Sequence, residues 1–278
     1  MKHYYGLVCL LSVGSLMTGC AVTSTTASSS NNNFNSTLWI QTASEYKANS
    51  MQTYNAALNN IERAISDLAW TSVPEQAPDM TALPAAVILD IDETVLDNSQ
   101  YQAQLVLFGA EYDPETWDQW VAMKTATAVP GAVEFINSME DMGVEVIYIT
   151  NRECKSRPGS DEACPQEQDT IDNLKKVGIK VIKPDNLLLK GEKPEWSSEK
   201  KSRRAAVAKN YRVVMLFGDD LGDFLPDVSN NITSSERNEL VKKYESNWGN
   251  KWFVLSNPSY GSWLRVLDDP KSKHLKGY

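Results

Sequence analysis

Histidine is almost missing from this chain of 278 residues. The sequence contains two histidines, His3 among the first few residues and His274 close to the C-terminus. A Ser-His-Asp triad, a histidine nucleophile and a histidine-rich zinc site all need histidine at the centre of a fold. The scarcity of histidine therefore argues against these three classes of site.

Two loops that handle phosphate in other proteins are also absent. Neither Cys154 nor Cys164 has an arginine six residues later, which excludes the loop of the cysteine-dependent phosphatases. The pattern Gly-x4-Gly-Lys of nucleoside triphosphatases does not occur. Any chemistry must come from carboxylates, hydroxyls, lysine or a bound metal ion.

Basic residues are too few to balance the acidic ones. The chain has 27 Lys and Arg against 36 Asp and Glu, which gives a formal net charge of −9. A protein with this charge is repelled by the phosphate backbone of DNA and RNA. A nucleic acid polymer is therefore not expected as a partner.

Residues 1–19 resemble the signal peptide of a bacterial lipoprotein. Lys2 supplies a basic start, Tyr5–Met17 is a short apolar run, and small residues precede Cys20. The run is too short for a permanent membrane-spanning helix. The resemblance implies cleavage before Cys20 and lipidation of its thiol; an ordinary secretory signal with an incidental cysteine is the alternative. Ala21 after the cysteine favours the outer membrane, with the domain facing the periplasm.

Two cysteines remain for the folded part of the chain. Cys9 lies in the signal and Cys20 would be acylated, which leaves Cys154 and Cys164 in a segment rich in Pro, Gly and Ser. Outside the cytoplasm such a pair is expected to form a disulfide. A metal site is the weaker alternative, because no other cysteine or histidine lies nearby.

Composition divides the chain after the signal into a tether and one domain. Residues 20–37 are mostly Ser, Thr and Asn, which cannot bury enough surface to fold, so they are predicted to be a disordered tether. Residues 38–278 are long enough for one α/β domain. Its predicted parts are N-terminal helices and a linker at 38–84, a core at 85–256 with a small, mainly helical cap near 99–129, and a C-terminal segment at 257–278.

Strands and helices alternate along the predicted core. Apolar runs predict strands at Ala85–Leu89, Val144–Ile149, Val213–Phe217 and Trp252–Leu255, with shorter apolar pieces at Ile179–Ile182 and Leu187–Leu189. Helical patterns occupy Leu38–Trp70, Gly131–Met142, Gln168–Val177 and Lys200–Lys209. This alternation is typical of a doubly wound parallel sheet with helices on both faces, which is an α/β fold.

Polar side chains follow these strands at the points where they are predicted to end. Asp90 and Asp92 come directly after the first strand, Thr150-Asn151-Arg152 follows the second, and residues 218–223 (Gly-Asp-Asp-Leu-Gly-Asp) follow the third. Lys200 begins a helix. Because the carboxyl ends of parallel strands share one edge of a sheet, we expect these side chains to converge.

The converging carboxylates suit phosphoryl transfer. Asp90 could attack phosphorus beside a Mg²⁺ ion, and Asp92 could protonate the leaving oxygen and later activate water. Asp219 is the expected metal ligand from the third strand. Asp220 or Asp223 would hold the water shell of the metal or orient the lysine.

The other polar groups at this edge suit the phosphate itself. Thr150 and Asn151 are the expected phosphate contacts, through the threonine hydroxyl and backbone N–H groups. Lys200 would offset the charge of a phosphate held among aspartates. Positioning and electrostatics supply most of the rate in phosphoryl transfer, so this set of groups suffices.

These motifs resemble those of the haloacid dehalogenase (HAD) superfamily, and more closely the class C acid phosphatases, a family of bacterial outer-membrane lipoproteins with nucleotidase activity. The two signatures lie at 88–101 (ILDIDETVLDNSQY) and 215–224 (MLFGDDLGDF). The family often has Asn or Thr where this chain has Asp220. The resemblance extends over Trp39–Ala56, Pro114–Phe135 and Asn257–Trp263.

The resemblance implies a role for each matched residue. Asp90 would be the nucleophile and Asp92 the acid/base, with Mg²⁺ held by Asp90, Asp219 and the backbone carbonyl of Asp92. The family lysine precedes an arginine by three residues, which fits Lys200 before Arg203 and also Lys201 before Arg204.

Two aromatic residues match the positions where the family clamps a planar ring. Trp117 and Tyr260 would stack on the base of a nucleotide. Without the resemblance, Trp117 would be assigned to core packing, and Tyr260 would be explained equally well by core packing and by ligand binding.

The sequence thus predicts a Mg²⁺-dependent phosphomonoesterase that hydrolyses nucleoside 5′-monophosphates through a phosphorylated Asp90, lipid-anchored to the outer membrane. One alternative is a phosphotransferase that uses the same nucleophile, and another is a lipoprotein that binds a nucleotide or porphyrin without turnover. A monomer and a homodimer are both compatible with the sequence.

Overall fold

The centre of the fold is a parallel sheet whose middle strand carries the first acidic motif at its end. The computed structural model describes residues 1–2 and 33–278. Five strands in the order β5-β4-β1-β6-β7 form the sheet, and every neighbouring pair is parallel. The strands are β1 (Ala85–Leu89), β4 (Glu145–Glu153), β5 (Leu187–Lys190), β6 (Arg212–Gly218) and β7 (Trp252–Val254).

The middle strand is apolar throughout because both of its faces are covered. Val87 and Leu89 belong to one hydrophobic cluster, and Ala86 and Ile88 belong to the other. Successive side chains of a strand point to opposite faces, so these two sets lie on the two sides of the sheet. This arrangement confirms the predicted doubly wound α/β fold.

Helices cover both faces. The helices are α1 (Phe34–Thr42), α2 (Ser44–Ser66), α3 (Ser99–Phe108), α4 (Pro114–Met123), α5 (Ala132–Asp141), α6 (Pro165–Lys176), α7 (Lys201–Ala208), α8 (Ser234–Lys243) and α9 (Ser262–Arg265). Apolar residues of α2, α5 and α6 join the cluster of Leu89, whereas those of α7 and α8 join the cluster of Ile88. Short 3₁₀ helices lie at 80–82, 184–186, 221–223 and 271–274.

A small helical insert follows the end of β1. The two-residue strands β2 (Leu96–Asp97) and β3 (Thr127–Ala128) pair in antiparallel fashion and close its base. The helices α3 and α4 lie between them and carry four aromatic side chains, Tyr101, Phe108, Trp117 and Trp120. This insert corresponds to the predicted cap near 99–129, and we call residues 98–126 the cap.

The predicted C-terminal boundary of the tether, at residue 37, was wrong. Helix α1 begins at Phe34, before the predicted domain start at residue 38, because Thr37 and Ile40 are buried and anchor this turn to the domain. Cys20, most of the predicted signal peptide and the rest of the tether lie outside the described residues. Across residues 1–2 and 33–278, no helix combines the length and apolarity that crossing a membrane would need.

Strand β4 and residues 179–182 also differ from the sequence prediction. Strand β4 continues through Glu153 instead of ending at Ile149, because Thr150 pairs with Leu189 and Glu153 with Lys190 of β5. Residues 179–182 form no strand. The motif Thr-Asn-Arg at 150–152 therefore lies inside β4, where Thr150 pairs with β5 and the register shifts between Thr150 and Glu153.

Cys154 and Cys164 are joined by a disulfide, which is the pairing that the sequence favoured over a metal site. The bond closes the loop between β4 and α6. Arg157 in this loop pairs with Asp169 of α6 and donates to Asp118 of α4 through Nε, at 2.6 Å. The loop therefore ties the cap to the core.

Candidate active site

The first acidic side chain of the motif lies at the carboxyl end of β1. The backbone N–H of Asp90 donates to the carbonyl of Phe217 at 3.0 Å, so it continues the pairing of β1 with β6. The carboxylate is 7% exposed and forms an ion pair with Lys200. The sheet thus fixes the backbone of Asp90, and Lys200 holds its carboxylate.

The residues after Asp90 turn back at once. The carbonyl of Ile91 accepts the backbone N–H groups of Val95 and Leu96, each at 2.8 Å, and Glu93 adopts a left-handed φ of 61° within this turn. The hydroxyl of Tyr54 on α2 donates to the carbonyl of Thr94 at 2.7 Å. These bonds fix the turn, and therefore the direction in which Asp92 leaves it.

The motif after β6 depends on a glycine at its start. A Cβ atom at Gly218 would collide with the carboxyl group of Asp223, which folds back over the strand end. One oxygen of that carboxylate accepts the N–H of Asp220 at 2.9 Å, and the other lies 2.5 Å from Lys200 Nζ. Gly218 therefore leaves the space in which Asp223 reaches the lysine.

Three carboxylates meet at this edge. Among the described residues, one oxygen from each of Asp90, Asp219 and Asp223 lies within 4.8 Å of the other two. Burial raises the pKa of Asp90 to about 7, opposed by Lys200 and reinforced by the charge of Asp223. Burial also raises the pKa of Asp219 well above its usual range, with Asp223 and Asp90 acting in the same direction.

The cluster fits a divalent cation. Lys200 supplies one positive charge against three carboxylates, so negative charge remains uncompensated in a buried place. Carboxylate oxygens at this spacing are ligands that Mg²⁺ accepts. Asp90 and Asp219 are thus expected metal ligands that the fold brings together, and Asp223 stands beside them.

Lys200, and not Lys201, is the lysine at the centre of the site. Its side chain is buried and contacts both Asp90 and Asp223, whereas Lys201 is exposed. Burial lowers the pKa of Lys200, but the two carboxylates outweigh this effect and raise it. The arginine three residues later, Arg203, is buried and donates to the carbonyl of Thr150 at 2.5 Å, which fixes the helix start against β4.

Asp92 has a separate set of partners. Arg152 Nη2 lies 2.8 Å from Asp92 Oδ1, and Arg152 Nε lies 3.1 Å and 3.3 Å from the two carboxylate oxygens. Asn98 Nδ2 donates to Oδ1 at 3.0 Å, and Thr150 Oγ1 donates to Oδ2 at 3.4 Å. Its side chain stands outside the three-carboxylate cluster.

The expected phosphate contacts differ in their surroundings. Thr150 is fully buried, and its hydroxyl lies between Asp92 and the backbone N–H of Arg152. Asn151 is exposed, and its amide is occupied by Arg203, at 2.6 Å, and by the carbonyl of Ser198, at 3.1 Å. In this structure the side chain of Asn151 therefore braces the helix start.

Asp220 does not join the cluster. One of its oxygens accepts the backbone N–H of Ser262 at 2.5 Å, and the other accepts the Ser262 hydroxyl at 2.6 Å and the N–H of Gly222 at 2.8 Å. It holds the C-terminal segment against the site. The sequence left open whether Asp220 or Asp223 orients Lys200. In the structure Asp223 contacts Lys200 and Asp220 does not.

The two aromatic residues lie on different segments. Trp117 on α4 packs edge-on against Tyr101, with ring centroids 5.1 Å apart, and is only partly buried. The hydroxyl of Tyr260 donates to the buried carboxylate of Glu93 at 2.9 Å. Burial raises the pKa of Glu93 to about 8, with Asp97 reinforcing this effect and Tyr260 opposing it.

Sequence reasoning assigned no role to several residues that hold the site. They are Glu93, Asn98, Arg152 and Asn257, whose amide donates to Asp219 at 2.7 Å. Three of them lie inside motifs that the sequence displays, in the Asp-x-Asp segment and in Thr-Asn-Arg. The sequence motifs therefore contain these three residues. Their contacts could not be predicted from the motifs, because they join segments that are far apart in the sequence.

A protein-family model matches most of the chain. The model described as HAD superfamily, subfamily IIIB (acid phosphatase), matches residues 9–263. The crystal structure of the class C acid phosphatase from Bacillus anthracis with tungstate bound is 31% identical, covers 90% of this chain and 99% of its own, and superposes with a TM-score of 0.74. A second structure of that protein superposes with a TM-score of 0.73 at the same identity.

Curated plant proteins match more distantly. Acid phosphatase 1 of Solanum lycopersicum is 27% identical over 143 residues, which is 50% of this chain and 51% of that protein. Vegetative storage protein 2 of Arabidopsis thaliana is 26% identical over 152 residues, or 52% of each chain. The chain thus spans about half the length of the curated relatives that it matches.

The cation fit of the three-carboxylate cluster can be tested without any substrate. We expect Mg²⁺ to raise the melting temperature of the metal-free protein. At a free Mg²⁺ concentration of 100 times the dissociation constant, the free energy of unfolding should increase by about 2.7 kcal/mol. Asp219→Asn should lose most of this gain, while its metal-free stability stays equal or rises because one of three repelling charges is gone. Scanning calorimetry with and without Mg²⁺ measures both effects.

The exposed Asp227 provides the matched control, since it lies in the same segment but outside the cluster. Asp227→Asn should keep the full gain from Mg²⁺. A full gain in Asp219→Asn would show that the cation does not bind at this cluster.

Proposed function

The chain belongs to the acid phosphatases of HAD superfamily subfamily IIIB, and we propose on this premise that it is a Mg²⁺-dependent phosphomonoesterase that hydrolyses nucleoside 5′-monophosphates. The observation that carries the proposal is the contact of Lys200 with both Asp90 and Asp223 beside Asp219, at the carboxyl edge of the sheet. This arrangement supplies a nucleophile, a cation site and a positive charge for phosphate.

The site suits a tetrahedral oxyanion. One class C relative has tungstate bound, and tungstate shares the charge and shape of phosphate. In this chain the ammonium of Lys200 contacts Asp90 and the hydroxyl of Thr150 contacts Asp92, so an anion lying between these two carboxylates would meet both groups. The cation, held by Asp90, Asp219 and the carbonyl of Asp92, would neutralise charge on the phosphate oxygens.

In the first step, a carboxylate oxygen of Asp90 attacks phosphorus while the bond from phosphorus to the leaving oxygen breaks. The electron pair of that bond stays on the leaving oxygen, which takes a proton from the carboxyl group of Asp92. The product is an acyl phosphate on Asp90 and a free alcohol. Lys200 compensates the charge that gathers on the phosphoryl oxygens.

In the second step, the carboxylate of Asp92 takes a proton from water as the water oxygen attacks phosphorus. The bond between phosphorus and Asp90 breaks, and its electron pair returns to the carboxylate. Inorganic phosphate leaves and Asp92 again carries the proton for the next cycle. Two carboxylates with different partners are needed, because one must be a nucleophile while the other exchanges protons.

The aromatic residues support a nucleotide as the substrate. Trp117 presents a partly buried ring from the cap, and the ring of Tyr260 is fixed by its bond to Glu93. Stacking holds a planar base with little preference among bases. We therefore propose nucleoside 5′-monophosphates as the substrate class.

The cellular place of the enzyme belongs to the same proposal. The N-terminal pattern up to Cys20 supports a lipid anchor in the outer membrane, with the domain facing the periplasm. A Cys20→Ser variant of the full chain should lose both the lipid label and membrane fractionation when cells are fed a radiolabelled fatty acid. Absence of the label from the wild-type chain would contradict the anchor and favour the secretory alternative, and retention of the label by Cys20→Ser would contradict Cys20 as the lipidated residue.

Replacement of Asp90 tests the proposed nucleophile. We expect Asp90→Asn to lower kcat for p-nitrophenyl phosphate and AMP by at least roughly 10³-fold, because an amide oxygen cannot form the acyl phosphate at a comparable rate. Phosphate release in the presence of Mg²⁺ measures the loss, and Asp227→Asn should keep wild-type activity. Near-normal turnover by Asp90→Asn would refute the mechanism, and absence of turnover in the wild type would favour a binding protein.

Replacement of Trp117 tests the substrate class. If its ring stacks on the base, Trp117→Ala should lose about 1–3 kcal/mol of binding, or about 5- to 150-fold in kcat/KM for AMP. The same variant should hydrolyse glycerol phosphate, which has no ring, at nearly the wild-type kcat/KM. Trp39→Ala on α1 is the matched control and should leave both substrates unaffected; equal losses on both by Trp117→Ala would count against a base site.

A further inference from the structure

Arg152 has contacts that neither phosphate binding nor metal binding explains. Its side chain is 1% exposed, and its ion-pair partner is Asp92. Nε and Nη2 approach the carboxylate side-on, at 3.1 Å and 2.8 Å from Oδ1. A buried guanidinium with two donors on one carboxylate determines the orientation of that carboxylate.

The guanidinium is itself fixed from the opposite side. Arg152 Nη1 donates to the hydroxyl of Thr170 on α6 at 3.1 Å, and that hydroxyl donates to the carbonyl of Gln166 at 2.7 Å. Thr170 is fully buried. The arginine therefore cannot swing away from Asp92 without breaking a bond inside the core.

A second side chain holds the same carboxylate from the cap. Asn98 is fully buried; it donates to Asp92 Oδ1 at 3.0 Å and accepts the indole N–H of Trp120 at 2.8 Å. The indole bond fixes which end of the amide is the donor. The carboxylate of Asp92 thus accepts hydrogen bonds from Arg152 of β4 and from Asn98 of the cap.

We propose that Arg152, assisted by Asn98, is a positioning residue that aims the carboxyl group of Asp92 at the leaving oxygen. The proposal rests on the proposed function, in which Asp92 donates a proton as the bond to phosphorus breaks. As that proton leaves, the carboxylate that forms is met by two N–H donors already in place. Arg152 therefore contributes most when the leaving oxygen needs a proton.

The dependence on the leaving group separates this role from a merely structural one. Phenyl phosphate and p-nitrophenyl phosphate have similar shapes, but the nitrophenolate ion departs readily without protonation and the phenolate ion does not. The value of kcat/KM reports the step in which the leaving group departs. General acid catalysis contributes about 10²- to 10⁴-fold, and loss of its alignment removes part of that factor.

We expect Arg152→Gln to lower kcat/KM for phenyl phosphate about tenfold more than for p-nitrophenyl phosphate. Arg152→Lys, which keeps the charge but cannot present two donors and the bond to Thr170 together, should show the same selectivity. The control is Arg212→Gln, a second buried arginine whose donors meet backbone carbonyls at the far end of β6. It should change both substrates by the same factor.

Folding of the variants does not limit the test. Calorimetry with Mg²⁺ shows which variants keep the fold and the metal site, and Thr170→Val removes only the hydroxyl that braces Arg152. If the arginine variants do not fold, Thr170→Val should still show a selective loss for phenyl phosphate. Equal losses on both substrates in folded variants would overturn the role of Arg152, whereas an active Asp90→Asn would overturn the proposed function instead.

Discussion

The structure depends on the burial of like charges at one edge of a sheet. Asp90, Asp219 and Asp223 meet within a few ångströms, and burial raises the pKa of each of these carboxyl groups. Such a cluster is unfavourable unless positive charge is brought to it. Lys200 supplies part of that charge, and the remaining negative charge is what a bound cation would neutralise.

The fold keeps this concentration of charge apart from Asp92. Asp90 and Asp92 are two residues apart, but the tight turn after β1 sends them to different partners. Asp90 faces Lys200, and Asp92 faces Arg152 and Asn98. Because the two carboxylates have different counter-charges, one can serve as a nucleophile while the other exchanges protons. The cap contributes Asn98 to the surroundings of Asp92.

Much of the fold could be predicted because its signals are local. The apolar run before Asp90 is a fully buried strand, and the same reasoning identified the strands that end near residues 150 and 218. Errors occurred where tertiary contacts override local composition. A polar segment that composition describes as a tether becomes helical from Phe34, where Thr37 and Ile40 are buried. Strand β4 runs past Ile149 because β5 pairs with Thr150 and Glu153.

The sequence by itself narrowed the candidate chemistry, because few histidines and a set of aspartates at strand ends leave carboxylates and a lysine as the candidate reactive groups, in a pattern that suits a metal ion. Only the tertiary structure decided which residue makes each contact. Lys200, and not Lys201, contacts Asp90; Asp223, and not Asp220, contacts that lysine; and Arg152 contacts Asp92. These choices depend on contacts between segments up to 110 residues apart, such as Lys200 with Asp90. Such contacts follow from the directions in which side chains leave the packed strands, and spacing along the chain does not encode them.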